Sequence, residues 1–334
     1  MSRYGDGENR GMTLYGFHAS HEQIPPSRLL TAAQRAESAG FGAGMCSDHF
    51  APWSGEQGES GFAWSWLGAA LQATGLTFGV VNAPGQRYHP AVIAQAAATL
   101  AEMYPGRLWV ALGSGEAMNE HITGDRWPPK PERRARLREC VDVIRALLAG
   151  EEVTHRGLVT VDRAKLWTLP ETEPLLIGAA ASPESAALVG EWADGMVTVN
   201  MPADVLKQVI AEFRDNGGEG KPVYLQLHLS YAATEQAALA TAYEQWRPSV
   251  LGDPLAWDLD SPAAFDAATR FVKPDDVRET VLVSADPAEL AGRIQEHADL
   301  GFDAVYLHHV GVEQDEFIDV FGADVLPRLG GGSA

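Results

Sequence analysis

The segment Ser47-Asp48-His49-Phe50-Ala51-Pro52-Trp53 sets a carboxylate and an imidazole side by side at the end of an apolar run. An imidazole titrates near neutral pH, and a neighbouring carboxylate can orient it and make it more basic, which is the chemistry of a general base. Adjacent residues project differently, so Asp48 is available to meet a cofactor while His49 meets a substrate. The plainer alternative is a loop pair making turn hydrogen bonds. Trp53 either closes as an aromatic lid over a flat ring or packs its own loop; the Gly- and Pro-rich surroundings favour the lid. A second segment, Gly113-Ser114-Gly115-Glu116-Ala117-Met118-Asn119-Glu120, follows another apolar run. Its glycines permit close backbone approach to a planar ligand. Glu116, shielded from water, would hold its proton more tightly and act as an acid. Acidic residues also favour helix starts, an account that fits Glu120 better than Glu116.

These residues need a scaffold that gathers distant loops. The chain alternates short apolar runs with longer amphipathic ones, the pattern of repeated βα units. Strands are expected at 14–19, 41–47, 76–82, 108–113, 175–179, 196–199, 223–229 and 305–308. Leu29, Ala33 and Ala36 share one face of the helix after Pro25-Pro26, and Gly40 closes it. Ala39-Gly40-Phe41-Gly42-Ala43, Trp192-Ala193-Asp194-Gly195-Met196 and Leu300-Gly301-Phe302-Asp303-Ala304 repeat one grammar, a helix ending at a glycine with a strand directly after it. Strand one carries Gly16-Phe17-His18-Ala19 and no GxGxxG turn, which disfavours a nicotinamide-binding doubly wound sheet. The expected fold is therefore an α/β protein, a (β/α)8 TIM barrel over residues 13–330. Insertions are expected after strands 4 and 7 (114–130 and 247–275), with a hairpin from Val153 and a flexible N-terminal extension over 1–12. Barrel active sites lie at the C-terminal ends of strands. His18, Asp48, His49, Asn82, Glu116, Ser182, Asn200, His228 and His308 fall there.

A net charge of −20 disfavours nucleic acid and anionic membranes as partners, since both need a basic face. Cys46 and Cys140 read as buried free thiols of a reducing cytosol. The start, MSRYGDGENRG, lacks the apolar core of a secretory signal, and no run approaches the ~18–20 residues of a membrane span. A soluble, cytoplasmic protein is expected, and its alanine-rich outer helices are compatible with a homodimer. His18, His228, His308 and His309 do not read as a metal site. Neighbouring strand residues face opposite sides, and no HExxH spacing accompanies them. The stretch Lys130–Arg136 reads as a solvated helix face.

With these residues assembled, the sequence resembles the luciferase-like flavin and deazaflavin oxidoreductases, and within them the group of coenzyme F420-dependent glucose-6-phosphate dehydrogenases. The resemblance runs from Gly16-Phe17-His18-Ala19-Ser20 to Val325–Leu329, and is most specific at Ser47–Phe50 with Pro52-Trp53, at Arg87-Tyr88-His89-Pro90 and at Gly113–Glu120. It implies a tricyclic ring at the barrel mouth, contacted by Asp48, Asn82, Ser114 and Gly115. It also implies a non-proline cis bond at Val80-Val81 behind the ring, which costs about 3–4 kcal/mol. Ala181 and Ser182 would meet a cofactor phosphate at a helix start. His49 would accept the substrate hydroxyl proton as hydride leaves carbon, Trp53 would support that arrangement, and Glu116 would protonate the cofactor or hold its ring.

Departures from the group bear on substrate and cofactor. Pro202 stands where the sugar-phosphate dehydrogenases place a lysine, and Thr280 falls near their phosphate-binding arginine. A substrate phosphate would lose its charge-assisted bonds. The phosphate loop reads Ala180-Ala181-Ser182-Pro183 where glycines are common. The expected activity is hydride transfer between a deazaflavin, F420, and an alcohol or sugar-like small molecule. The alternative is an FMN-dependent oxidoreductase or monooxygenase served by a partner flavin reductase. A non-catalytic flavin binder is disfavoured because it would not require both His49 and Glu116.

Overall fold

The computed structural model describes residues 12–329. Of the extension expected over 1–12 only Met12 is among them. Eight strands form the barrel: β1 (Leu14–Ala19), β2 (Ala43–Ser47), β3 (Thr77–Asn82), β4 (Leu108–Leu112), β5 (Leu175–Ala179), β6 (Gly195–Val199), β7 (Val223–Tyr231) and β8 (Ala304–His309). Each pairs in parallel with its neighbours in chain order, and β8 returns to β1, so the sheet closes. The expected (β/α)8 barrel is the observed one. A three-residue strand, Leu282–Ser284, adds to the far end of β7.

Closure explains why the strands read as continuous apolar runs, since both of their faces are covered. Inside, Met45, Trp109, Ile177, Val197, Tyr224 and Tyr306 fill the barrel. Small residues make room for the large ones: a Cβ on Gly79 would lie 1.9 Å from the Trp109 ring. Outside, Phe17, Phe78, Val80, Leu225 and Leu307 meet the helices. The helix Pro26–Ser38 buries Leu29, Ala33 and Ala36 as the spacing requires, and Gly40 follows it at φ 100°, in the left-handed region that a glycine tolerates. Both cysteines are free and buried. Among the described residues no helix is long and apolar enough to cross a membrane.

Two connections carry more than one helix. Between β4 and β5 lie a single turn at Ala117–Glu120, the long helix Lys130–Leu148 and a hairpin of Val153–Arg156 with Thr160–Ala164. Between β7 and β8 lie Glu235–Trp246, the short helices Leu255–Asp258, Pro262–Thr269 and Pro274–Glu279, and then Pro287–Ala298.

The structure corrects two expectations. The Val80–Val81 peptide is trans, Asp253–Pro254 being the one cis bond among the described residues. Val80 and Val81 continue an unbroken ladder with Cys46 and Ser47 on one side and Val110 and Ala111 on the other, so regular pairing holds the ordinary peptide geometry. The stretch 130–136 is not simply a solvated face: Arg133 and Arg136 are buried. Their spacing of three puts them on the inward stripe. There Arg133 stacks on Trp127 and donates to the Pro128 carbonyl, and Arg136 donates to Gln86 Oε1.

Candidate active site

His49 leaves the end of β2 and turns its ring across the mouth. Its Nδ1 lies 2.6 Å from Glu22 Oε1, and its Nε2 lies 3.7 Å from Glu116 Oε2. Glu22 arrives from the loop after β1 and is fully buried. Burial alone would raise its carboxyl, but the His49 charge overrides burial and brings it down to about 2. Burial likewise works against charge on His49, yet Glu22 and then Glu116 push the imidazole up to about 9. These shifts favour a charged imidazole gripped by the Glu22 carboxylate and facing Glu116. Glu116 shows the opposite balance, burial holding its carboxyl above the usual range despite His49. Glu22→Gln is expected to lower the His49 pKa from about 9 toward its ordinary 6.5. An NMR titration of the ring proton would show it, and an unmoved curve would locate the source of the basicity elsewhere.

Asp48 has a different partner from His49: its carboxyl meets Arg87, whereas the imidazole meets Glu22. The Asp48 carboxyl is buried beside Arg87, with Arg87 Nη2 3.5 Å from Oδ2 and 2.6 Å from the Asp48 carbonyl. Arg87 also faces Glu120, whose Oε2 accepts from the Arg87 backbone N–H at 2.6 Å. Burial raises both carboxyls, and Arg87 moderates the shift. Asn119 joins the two motifs: its Nδ2 donates to Glu116 Oε2 at 3.0 Å, and its Oδ1 accepts from Phe50 N–H at 2.8 Å. The loops after β2 and β4 are thus tied at fixed distance by one amide.

Trp53 stands edge-on to His49 and to Phe265, with ring centroids 5.4 and 5.2 Å apart. It both borders the imidazole and packs against the β7–β8 connection. Along the other side of the mouth, Gly115 adopts φ 85°, and a Cβ there would sit 3.1 Å from Glu120. Asn82 donates to the Ala111 carbonyl at 3.0 Å, while its buried Oδ1 has no partner. Val81 faces the barrel interior, whereas Val80 packs against the helices. Ser182 caps the helix Pro183–Gly190 by accepting from Ser185 N–H, and Arg134 donates to Ser185 Oγ at 3.1 Å.

Below this layer, His18 and His308 stack with centroids 4.2 Å apart, and His228 lies against His308. His309 faces outward and stacks on Phe317. Among the described residues no group of three or more His, Cys, Asp or Glu side chains is set to hold a metal ion. Sequence reasoning missed Glu22, Arg87 and Asn119 as members of the site. Their signals were Glu22 in the polar run just past β1, Arg87 within the quoted Arg87–Pro90 motif, and Asn119 three residues after Glu116.

The match to a family model for luciferase-like monooxygenases covers residues 10–304. The chain is 33% identical to the F420-dependent glucose-6-phosphate dehydrogenase of Microbacterium testaceum, across 94% of this chain and 97% of that protein. It is 34% identical to the one from Intrasporangium calvum, across 96% and 100%. The structure of an F420-dependent secondary alcohol dehydrogenase with an F420–acetone adduct superimposes with a TM-score of 0.88 at 30% identity, covering 95% of this chain and 99% of that one. With the barrel closed, the Asp48-His49 and Glu116 loops meeting at its mouth, and the match extending over most of the sequence, the chain belongs to the luciferase-like monooxygenase family.

Proposed function

We propose that this protein is a coenzyme F420-dependent oxidoreductase acting on an uncharged alcohol or sugar-like hydroxyl. The carrying observation is the His49 imidazole, anchored at Nδ1 by buried Glu22 and directed at Nε2 toward Glu116. Relatives named for F420 chemistry at about a third identity support the same cofactor here. The site residues fit a ring with polar edges: Asn82 Oδ1 is buried without a hydrogen bond of its own, and the Asp48 carboxyl is buried beside Arg87. Asp48, Asn82, Ser114, Gly115, Val81 and the Val80 backbone would hold the ring. The helix start at Ala181-Ser182, with Arg134 close by, would receive a phosphate. When bound, the deazaflavin supplies the hydride acceptor.

The protein's own part is proton handling. His49, once neutral, takes the hydroxyl proton at Nε2, and Glu22 stabilises the imidazolium that results. Glu116, holding its proton more tightly than an ordinary carboxyl, serves as the second proton carrier. Trp53 and Phe265 screen the imidazole from bulk water. Neither Pro202 nor Thr280 offers a cation to a sugar phosphate, which supports an uncharged substrate. The Thr280 hydroxyl lies 2.5 Å from Ser249 Oγ, and its carbonyl accepts from Asn200 at 2.6 Å, so its polar groups are engaged with neutral partners.

Fluorescence titration with each cofactor tests the assignment: micromolar binding of F420 with none of FMN is expected, and the reverse would overturn it. Reduction of F420 by 2-propanol with little by glucose 6-phosphate is expected in the same preparation; efficient oxidation of the phosphate ester would refute the substrate class. The pH dependence has a definite sign. Alcohol oxidation needs neutral His49, so the rate is expected to climb from pH 7 until it levels near the His49 pKa of about 9. Ketone reduction should follow the opposite trend. A flat profile between pH 7 and 9 would remove His49 from the proton step.

A further inference from the structure

We propose that His228 is a specificity-determining residue, donating a hydrogen bond from Nδ1–H to a second, uncharged oxygen of the substrate, so that preferred substrates carry a hydroxyl or carbonyl group next to the reacting alcohol carbon. The choice of reacting group rests on the hydride-transfer reading above; the donor itself follows from a chain of hydrogen bonds.

That chain begins at the Val310 backbone carbonyl, which can only accept. Gln23 Nε2 donates to it at 2.5 Å, which turns Gln23 Oε1 toward His308 Nε2 at 3.2 Å. His308 therefore carries its proton on Nε2. Burial, helped by the neighbouring His18 and His228, keeps this ring neutral, so its Nδ1 is an acceptor. Gln226 Nε2 spends one hydrogen on that Nδ1 at 3.1 Å and the other on His228 Nε2 at 3.2 Å. His228 Nε2 is thereby fixed as an acceptor, and the single ring proton must sit on Nδ1.

Burial keeps His228 neutral as well, with its pKa lowered to about 4. It offers one donor and no charge. Its Nδ1 has no protein partner among the described residues, and it is not among the buried atoms lacking one, so it remains open to a ligand. β7 sets His228 in register with His308 of β8, and Trp246 walls both rings at centroid distances of 5.1 and 4.6 Å. Ser20 Oγ lies 2.8 Å from both Glu22 Oε2 and Gln23 Oε1, which joins this hydrogen-bond chain to the His49–Glu22 pair. A neutral N–H suits a hydroxyl or carbonyl oxygen, whereas a phosphate or carboxylate would call for a cation.

Two measurements decide it. In protein labelled with 15N at histidine, long-range proton–nitrogen spectra at pH 7 should show His228 as the neutral Nδ1–H tautomer. 1,2-Propanediol should move its signals saturably, and 2-propanol should not. An Nε2–H tautomer, an imidazolium, equal shifts from both alcohols or shifts from neither would each overturn the proposal. In turnover, His228→Phe should cost about 5–10-fold in kcat/KM for the diol and little for 2-propanol. His228→Asn, whose amide reaches the Nδ1 position, should restore the preference. Equal losses on both alcohols would also refute it. If no alcohol reduces F420, the hydride-transfer reading falls, while the spectra still judge His228.

Discussion

Replacing His49 with alanine is expected to lower turnover by about 10²–10⁴ while leaving cofactor binding nearly unchanged. In the proposed reaction the imidazole, held between Glu22 and Glu116, exchanges the substrate proton. Its loss also leaves Glu22 buried opposite no cation, so stability should fall alongside turnover. Glu116→Gln separates the two effects. Glutamine keeps an oxygen for Asn119 to donate to but carries no transferable proton, so turnover should drop while thermal stability holds. The check is stopped-flow or steady-state reduction of F420 beside fluorescence titration of binding. Near wild-type rates in both variants would sink the acid–base assignment.

The second large effect concerns Arg87. Its guanidinium is nearly inaccessible and sits between Asp48 and Glu120, both buried. Arg87→Ala removes the cation and leaves two buried carboxyls, at an expected cost of about 3–5 kcal/mol in a denaturant titration. The sign of the pH dependence follows from the same burial. Both carboxyls already hold their protons more tightly in the folded state than in the unfolded one. Lowering the pH through their folded pKa values therefore relieves the variant, and its deficit should shrink. A deficit below about 1 kcal/mol, or one that grows in acid, would show that the triad is not what holds the β2 and β4 loops together.

How much of this was legible beforehand depends on the range of the interaction. The βα alternation, the glycines Gly40 and Gly301 that follow their helices and the placement of Asp48, His49 and Glu116 at or just past strand ends are local patterns that the barrel carries, whereas Gly195 opens its strand instead of closing a helix. The His308/His309 division also followed from strand alternation alone, and His309 does face Phe317 rather than the interior. Glu22 was missed because the polar run just past β1 does not show how its loop will turn, and only the folded loop delivers that carboxylate to His49. Arg133 and Arg136 looked solvated because charge is normally left in water, yet Trp127 and Gln86 from other loops cover them. Val80–Val81 was assigned a cis bond by resemblance, and regular pairing on both sides keeps it trans.

By itself, the sequence determined the architecture and the chemical types at the mouth, because hydrophobic period and helix caps are written over a few consecutive residues. The tertiary structure decided which charge meets which. Glu22 and His49, or Arg87 and Glu120, become partners only when barrel closure brings loops from different strands together. Burial and neighbouring charge then set their protonation: Glu22 and Glu116 raise His49 against burial, while burial raises Glu116 and lowers His228 and His308. An imidazole's charge depends on its desolvation and its neighbours. No linear pattern encodes either quantity.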